Sequence, residues 1–169
     1  LLDRAGRPFY GLPNIDNRGR EYMDAIQDRD TVYRLSGKWV TEDFCAAKLL
    51  GFRMRYPELY EQVGTVLSIS EWIAQIFTGV SAMEPSQACE TQLYDLESGA
   101  WSQRLCDSYG VGKELLPPLL PAGAVIAPIL PAYRRELNMT EDAVFIMGGA
   151  DTQVALRQTQ SLAEESAYV

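Results

Sequence analysis

The sequence contains no histidine among its 169 residues and only three cysteines. Without histidine, the chain cannot itself supply a Ser-His-Asp or Cys-His catalytic group, or a metal site with a histidine ligand. Acid–base chemistry would therefore fall to carboxylates, or less often to lysine, tyrosine or cysteine. Cys45, Cys89 and Cys106 are odd in number and lie far apart, which argues against a disulfide framework and favours reduced thiols in a cytoplasmic protein.

The sequence also lacks a basic stripe and a long apolar run. It has 15 basic and 23 acidic residues, so the formal net charge is -8. Nucleic-acid binding requires clustered basic residues that replace counterions around phosphates, and an acidic total also argues against binding to an anionic membrane surface. No apolar segment is long enough to span a membrane. We therefore expect a small-molecule ligand and no nucleic-acid or membrane partner, and a homodimer stays open.

The composition is that of a globular domain with a substantial core. Hydrophobic residues make up 47% of the chain and charged residues 22%, which is ordinary for a folded domain of this length. The sequence opens with Leu1-Leu2-Asp3, without an initiator methionine or a signal-peptide pattern. This opening leads us to expect that the sequence starts inside a domain.

The hydrophobic periodicity predicts an α/β fold of short strands and helices. Candidate strands cover a hairpin in residues 1–15, a strand in 65–69 and a buried strand in 143–147, whereas the proline-rich residues 115–131 are expected to be irregular. Candidate helices, with their signals, are 42–55 after a Thr41 cap, 71–77 between Ser70 and Gly79, 101–109 before Gly110, 131–137 after Pro131, and 152–160.

The segment from residue 143 to residue 153 carries the most chemical information. It reads as an apolar strand, then Gly148, Gly149 and Ala150, then Asp151 at the start of a helix. Small residues allow a ligand to approach the backbone closely, and open α/β sheets bind ligands outside the carboxyl ends of their strands. A helix N-terminus favours an ionised carboxylate, so Asp151 could accept a proton. The alternative is that Asp151 only caps the helix.

The order of several short segments resembles that of the FGGY family of carbohydrate kinases. Residues 148–153, Gly-Gly-Ala-Asp-Thr-Gln, resemble the glycine-rich motif Gly-Gly-Gly-Asp-Asn or Gly-Asp-Gln-Gln that closes the family's first domain. Residues 13–18, Pro-Asn-Ile-Asp-Asn-Arg, are similar to its Trp-x-Asp-x-Arg segment. Other similar segments, in family order, are Ser36-Gly37, Lys48-Leu49-Leu50, Tyr56-Pro57-Glu58, Ser70 to Gly79, Glu84-Pro85-Ser86-Gln87-Ala88, Trp101-Ser102 and Leu116-Pro117.

This resemblance implies a kinase that phosphorylates a sugar or polyol hydroxyl with ATP and Mg²⁺. The implied fold is an actin-like, ribonuclease-H-like domain, a mixed sheet flanked by helices, and residues 1–169 would form part of the N-terminal, sugar-binding domain. The resemblance makes Asp151 the catalytic base, with Asn14, Asp16, Thr152 and Gln153 as substrate contacts. ATP and Mg²⁺ would be bound mainly by two parts of the family fold that this sequence lacks: an opening phosphate-binding hairpin and a C-terminal nucleotide domain.

Departures from the family pattern leave other functions open. Asn14 stands where the family has tryptophan, which removes an aromatic platform, and Asn-x-Asp-x-Arg resembles the segment of autoinducer-2 kinases, a branch of the same family. A non-catalytic, actin-like sugar sensor or scaffold is the alternative from another class. Asp43 is interpreted as an exposed helix carboxylate, with the substrate contact that the resemblance suggests as its alternative. Lys48 is interpreted as a helix-surface cation, and Trp39, Trp72 and Trp101 as packing residues. These three tryptophans are the candidates for a sugar-stacking surface if that interpretation is wrong.

Overall fold

A computed structural model describes residues 1–158 as a mixed α/β structure. Eight α-helices lie within this range: α1 Arg29–Ser36, α2 Cys45–Arg55, α3 Pro57–Tyr60, α4 Ile69–Thr78, α5 Pro85–Cys89, α6 Gln103–Tyr109, α7 Pro131–Glu136 and α8 Asp151–Gln158. Two 3-10 helices cover Arg20–Ala25 and Lys113–Leu115. The helix predicted in residues 152–160 corresponds to α8 as far as residue 158, and its last two residues lie outside the described range.

The strands pair in twos, and each pair is antiparallel. Their bounds are β1 Leu2–Asp3, β2 Val63–Thr65, β3 Tyr94–Asp95, β4 Ala100–Trp101, β5 Val125–Pro128 and β6 Val144–Ile146. β1 pairs with β2, β3 with β4, and β5 with β6. One isolated parallel bridge joins Met83 to Leu119, so that the segment before α5 is attached to the chain leading into β5.

The main hydrophobic core lies under α2. This helix buries one side against the first 3-10 helix and against α6, and its residues Ala46, Ala47, Leu49 and Phe52 are fully buried. A smaller aromatic cluster joins α4 to the β5–β6 pair: the ring centroid of Phe77 lies 4.8 Å from that of Tyr133 and 6.0 Å from that of Phe145. The second cluster positions β6, and therefore the loop that follows it.

Several predicted boundaries are confirmed, and others are wrong. Gly79 and Gly110 end α4 and α6 in left-handed conformations, as predicted. The predicted cap at Thr41 is wrong, because α2 begins only at Cys45. The predicted cap at Ser70 is also wrong: Ser68 forms a capping box with Glu71 and starts the helix two residues earlier. Residues 66–68, predicted as strand, therefore form the connection into α4.

The predictions for the last two strands need correction. Residues 115–131 were expected to be irregular, yet β5 lies among their prolines, because an edge strand tolerates proline. β6 forms as predicted but is not buried: Val144 is 41% exposed and Ile146 is 54% exposed. The reason is that β6 pairs only with β5 in residues 1–158, so its alternate side chains face solvent.

A buried polar network accounts for a further testable property of the core. The Tyr109 hydroxyl donates to Oε1 of Gln92 at 2.7 Å, and Nε2 of Gln92 donates to the carbonyls of Lys38 and Trp39. Burial raises the pKa of Tyr109 well above its ordinary value, which keeps this hydroxyl a donor. Gln92 is fully buried, so its side chain has no access to water. Its backbone has a positive φ of 64°.

We expect Tyr109→Phe to lower the free energy of unfolding by about 1–3 kcal/mol, the cost of leaving a buried acceptor without its donor. Urea unfolding of the purified protein measures the change. Tyr133→Phe is the control, because it removes a hydroxyl from a half-buried ring, and its effect should stay within about 0.5 kcal/mol. Equal unfolding midpoints for the Tyr109 variant and the parent protein would contradict this account of the network.

The cysteines are free, as predicted. Burial raises the pKa of the Cys45 and Cys106 thiols to about 11, so both stay protonated near neutral pH and act as small packing residues.

No helix in the described range is long and apolar enough to cross a membrane.

Candidate active site

A cavity of about 1350 Å³ opens between several segments of the chain. Its walls include parts of residues 1–14, the start of α2, the start of α4, residues 83–91 around α5 and the loop that leads from β6 into α8. Polar lining residues include Asn14, Asp43, Lys48, Ser68, Gln87, Asp151, Thr152 and Gln153, among apolar side chains such as Phe9, Leu49 and Met83. A concave, partly apolar space with a few convergent polar groups is typical of a small-molecule site.

Asp151 is the first residue of α8 and lines this cavity. Its Oδ1 accepts from the backbone N–H of Thr152 at 2.6 Å and from the Thr152 hydroxyl at 3.3 Å. These bonds use one of the two carboxylate oxygens, and the side chain is exposed. If Asp151 served only as a helix cap, no open cleft would be expected above it, whereas the carboxylate lies at the wall of a large cavity.

The glycine-rich loop before Asp151 is fastened to α5. The backbone N–H of Ala150 donates to Oγ of Ser86 at 2.9 Å. Ser86 is in turn bound to the carboxylate of Glu84, which caps α5 by accepting from the backbone N–H groups of Ser86 and Gln87. Sequence reasoning noted residues 84–88 only as part of a resemblance, and the structure shows that one of them, Ser86, is hydrogen-bonded to the loop.

Asn14 and Asp16 have different surroundings although they are two residues apart. Asn14 is exposed and lines the cavity. Asp16 is absent from the cavity lining, and both of its carboxylate oxygens bind Arg18, with Oδ2 2.7 Å from a guanidinium nitrogen. Arg18 also donates to the hydroxyl of Tyr10, a cavity residue. Asp16 therefore orders the segment that carries Asn14.

Thr152 and Gln153 lie in the first turn of α8 and line the cavity beside Asp151. The structure thus brings together Asn14, Asp151, Thr152 and Gln153, four of the five residues selected from the sequence, and leaves Asp16 outside the lining. Whether any of them binds substrate stays a prediction.

Lys48 was interpreted as a surface cation, and that interpretation is wrong. Its side chain is 7% exposed, and its ammonium donates to the backbone carbonyl of Asp43. The cause is its position on the inner side of α2, where it follows Ala47 and precedes Leu49, both fully buried. The sequence signal for this burial was a single charged residue inside an apolar helical segment. Lys48 gives the cavity a buried positive charge, and no ion pair with it occurs in residues 1–158.

The three tryptophans differ in their surroundings. Trp101 is buried and donates from Nε1 to the carbonyl of Pro117 at 2.7 Å, so it is a packing residue as predicted. Trp39 is 65% exposed and stacks on Tyr33. Trp72 is half-buried and lines the cavity. It is therefore the tryptophan with access to a ligand in this space.

The described residues do not by themselves form a metal site. Nowhere in residues 1–158 do three His, Cys, Asp or Glu side chains come close enough together to hold an ion. Asp43 and Asp151 both line the cavity, but two carboxylates alone do not form a complete Mg²⁺ site. Mg²⁺ that is held by one or two carboxylates is commonly bound by substrate phosphates as well. We assign no metal ligand among residues 1–158.

The described fold matches solved carbohydrate kinases. A gluconate kinase from Lactobacillus acidophilus superposes with a TM-score of 0.80 at 24% identity, covering 88% of this chain and 31% of that one. A glycerol kinase from Plasmodium falciparum, solved with ADP, gives a TM-score of 0.79 at 18% identity, covering 90% and 32%. At these identities the similarity defines the fold: the chain has the actin-like, ribonuclease-H-like α/β architecture of this class of kinase.

The family follows from the sequence match. Residues 1–157 match the N-terminal domain model of the FGGY family of carbohydrate kinases, and the chain belongs to that family. YoaC of Bacillus subtilis, a protein named as a sugar kinase, is 42% identical over 169 residues, which is all of this chain and 35% of that protein. An autoinducer-2 kinase of Yersinia enterocolitica is 27% identical over 160 residues, or 91% of this chain and 30% of that protein. The chain thus spans about a third of the length of these relatives.

Proposed function

We propose that this chain is the sugar-binding part of an ATP-dependent carbohydrate kinase, with Asp151 as its general base. The observation that carries the proposal is the position of Asp151: it starts α8 directly after the loop that follows β6, and it lines a cavity of about 1350 Å³ together with Asn14 and Gln153. Membership of the FGGY family supports the reaction class.

In this proposal Asp151 accepts the proton of the substrate hydroxyl that becomes phosphorylated. A general base must lie within hydrogen-bond reach of the proton it removes, and an exposed carboxylate at a cavity wall is accessible to a hydroxyl bound there. The bonds from Thr152 hold one carboxylate oxygen and so limit rotation of the group.

The remaining cavity residues bind and orient the sugar. Asn14, Thr152 and Gln153 offer amide and hydroxyl groups, which suit a ligand whose buried hydroxyls each need a partner. Trp72 offers the apolar face of an indole to the carbon side of a sugar. We assign Asp16 a different role from these residues, because its carboxylate is bound to Arg18. A direct contact between Asp16 and substrate would require that ion pair to open.

ATP with Mg²⁺ supplies the phosphoryl group and neutralises the charge that develops on it. We propose that both are held mainly by a phosphate-binding hairpin and a nucleotide domain that lie outside residues 1–169. The proposed enzyme is cytoplasmic, in keeping with its free cysteines.

The experiment that tests this function is an ADP-release assay on the complete gene product. The acceptors are pentoses, ketoses, polyols and the autoinducer-2 precursor, the last because of the similarity to autoinducer-2 kinases. We expect turnover of one acceptor class, and no turnover by residues 1–169 alone. Sugar binding without turnover of any acceptor would contradict the kinase and support the sensor or scaffold.

A further inference from the structure

One hydrogen bond fastens the loop before Asp151 to a helix more than sixty positions earlier in the chain. It runs from the backbone N–H of Ala150 to Oγ of Ser86 at 2.9 Å. We propose that Ser86 is a positioning residue that sets the location of Asp151 through this bond. The proposal rests on the proposed function of Asp151 as the base.

Glu84 fixes the direction in which the Ser86 hydroxyl points. Oε2 of Glu84 accepts from the backbone N–H of Ser86 at 2.7 Å and also from its hydroxyl. Because the hydroxyl proton is directed toward Glu84, the oxygen lone pairs of Ser86 are available to the N–H of Ala150. Glu84 is 9% exposed and caps α5, so the carboxylate that orients Ser86 is itself held in place.

The loop needs such a fastening because two glycines precede Ala150. Gly148 has open space around it, with nothing within 4 Å of an added Cβ, and glycine has greater backbone freedom than any other residue. Gly149 lies close to α5: a Cβ there would be 3.5 Å from Oε2 of Glu84 and 3.5 Å from Oγ of Ser86. The close approach at Gly149 and the bond at Ala150 thus attach the loop to α5 one residue before Asp151.

In this proposal Ser86 acts through the loop, because its hydroxyl accepts from the N–H of Ala150, the residue before Asp151. Ala150 and Asp151 line the cavity, whereas Ser86 does not, so its hydroxyl is not placed to touch a ligand there. A change at Ser86 should therefore alter the rate of the chemical step more than the affinity for the sugar. The expected size is considerable, because a displacement of about 1 Å in a reacting group can lower a rate about a hundredfold.

The kinetic test uses Ser86→Ala and Ser86→Thr in the complete gene product. We expect Ser86→Ala to lower kcat about tenfold to a hundredfold with KM changed less than about threefold. Ser86→Thr retains the hydroxyl and should restore most of kcat. An unchanged kcat in the alanine variant, or an equal loss in the threonine variant, would overturn the proposal.

A double variant separates positioning from general damage to the fold. If Ser86 acts only through Asp151, adding Ser86→Ala to an Asp151→Asn protein should cause little further loss of the residual rate. Losses that multiply would mean that Ser86 affects the reaction by another route, and they would overturn the proposal.

Hydrogen exchange gives a readout that does not depend on activity. We expect Ser86→Ala to speed exchange of the Ala150 amide, with Ser86→Thr close to the parent protein. Equal exchange in all three proteins would show that the hydrogen bond is unimportant in solution and would overturn the inference alone. Faster exchange in Ser86→Ala, found together with a parent protein that turns over no acceptor, would instead overturn the proposed function, and with it the positioning role.

Discussion

Replacing Asp151 with asparagine is expected to lower kcat of the complete gene product by about 10²- to 10⁴-fold, the usual contribution of a general base. Asparagine has the same shape, and its side-chain oxygen can still accept from the Thr152 N–H that binds Oδ1 of Asp151. The fold and the cavity should therefore persist, and KM should change less than about threefold, because only the proton acceptor has been removed.

The matched control for this variant is Asp142→Asn. Asp142 is an exposed carboxylate in the turn before β6, at the other end of the strand that leads toward Asp151, and it does not line the cavity. Its replacement should leave kcat and KM unchanged. Steady-state ADP release at saturating and limiting sugar measures both constants. A kcat of Asp151→Asn within about threefold of the parent would contradict the assignment of the base.

The second large effect is expected at Gly19 and Gly51, where two stretches of backbone touch. A Cβ on Gly19 would lie 2.1 Å from the carbonyl oxygen of Ala47, and a Cβ on Gly51 would lie 2.6 Å from the backbone nitrogen of Gly19. Both contacts are to backbone atoms, which cannot rotate away. Gly19→Ala should therefore lower the free energy of unfolding by about 3 kcal/mol, the upper part of the usual range for overpacking.

This contact matters to the site because it joins the segment that carries Asn14 to the helix that carries Lys48. Gly11→Ala is the control: a Cβ at Gly11 meets nothing within 4 Å, and the residue has no positive φ. Urea unfolding, with hydrogen exchange of the α2 amides to localise the change, measures both variants. Equal stability of Gly19→Ala and Gly11→Ala would contradict the close approach of the two segments.

Local signals in the sequence predicted part of the fold. Gly79 and Gly110 marked helix ends, because the left-handed conformation that closes a helix strongly favours glycine. Helix α1 was not predicted, since it is mostly polar and buries only Thr31, Val32 and Ser36, which leaves too few apolar positions for a clear period. β5 was missed because prolines usually indicate irregular structure.

The candidate site was likewise predicted only in part. Asp151 could be selected because its strand, small residues and helix are contiguous in the sequence, and family resemblance assigned it a role. The contact of Ser86 with Ala150 joins residues 64 positions apart, and the burial of Lys48 depends on the packing of α2. Both result from tertiary structure, and no local pattern reports them. Asp16 and Arg18 formed a recognisable motif, but the sequence did not reveal that they bind each other.

The most direct test of the central claim is a crystal structure of the complete protein with its sugar acceptor and a non-hydrolysable ATP analogue. The account predicts that the sugar occupies the cavity lined by Asn14 and Gln153, with the acceptor hydroxyl about 2.6–3.2 Å from the Asp151 carboxylate, the reach required of a general base. A sugar bound in that complex with its acceptor hydroxyl beyond the reach of Asp151, and beside another base, would contradict it.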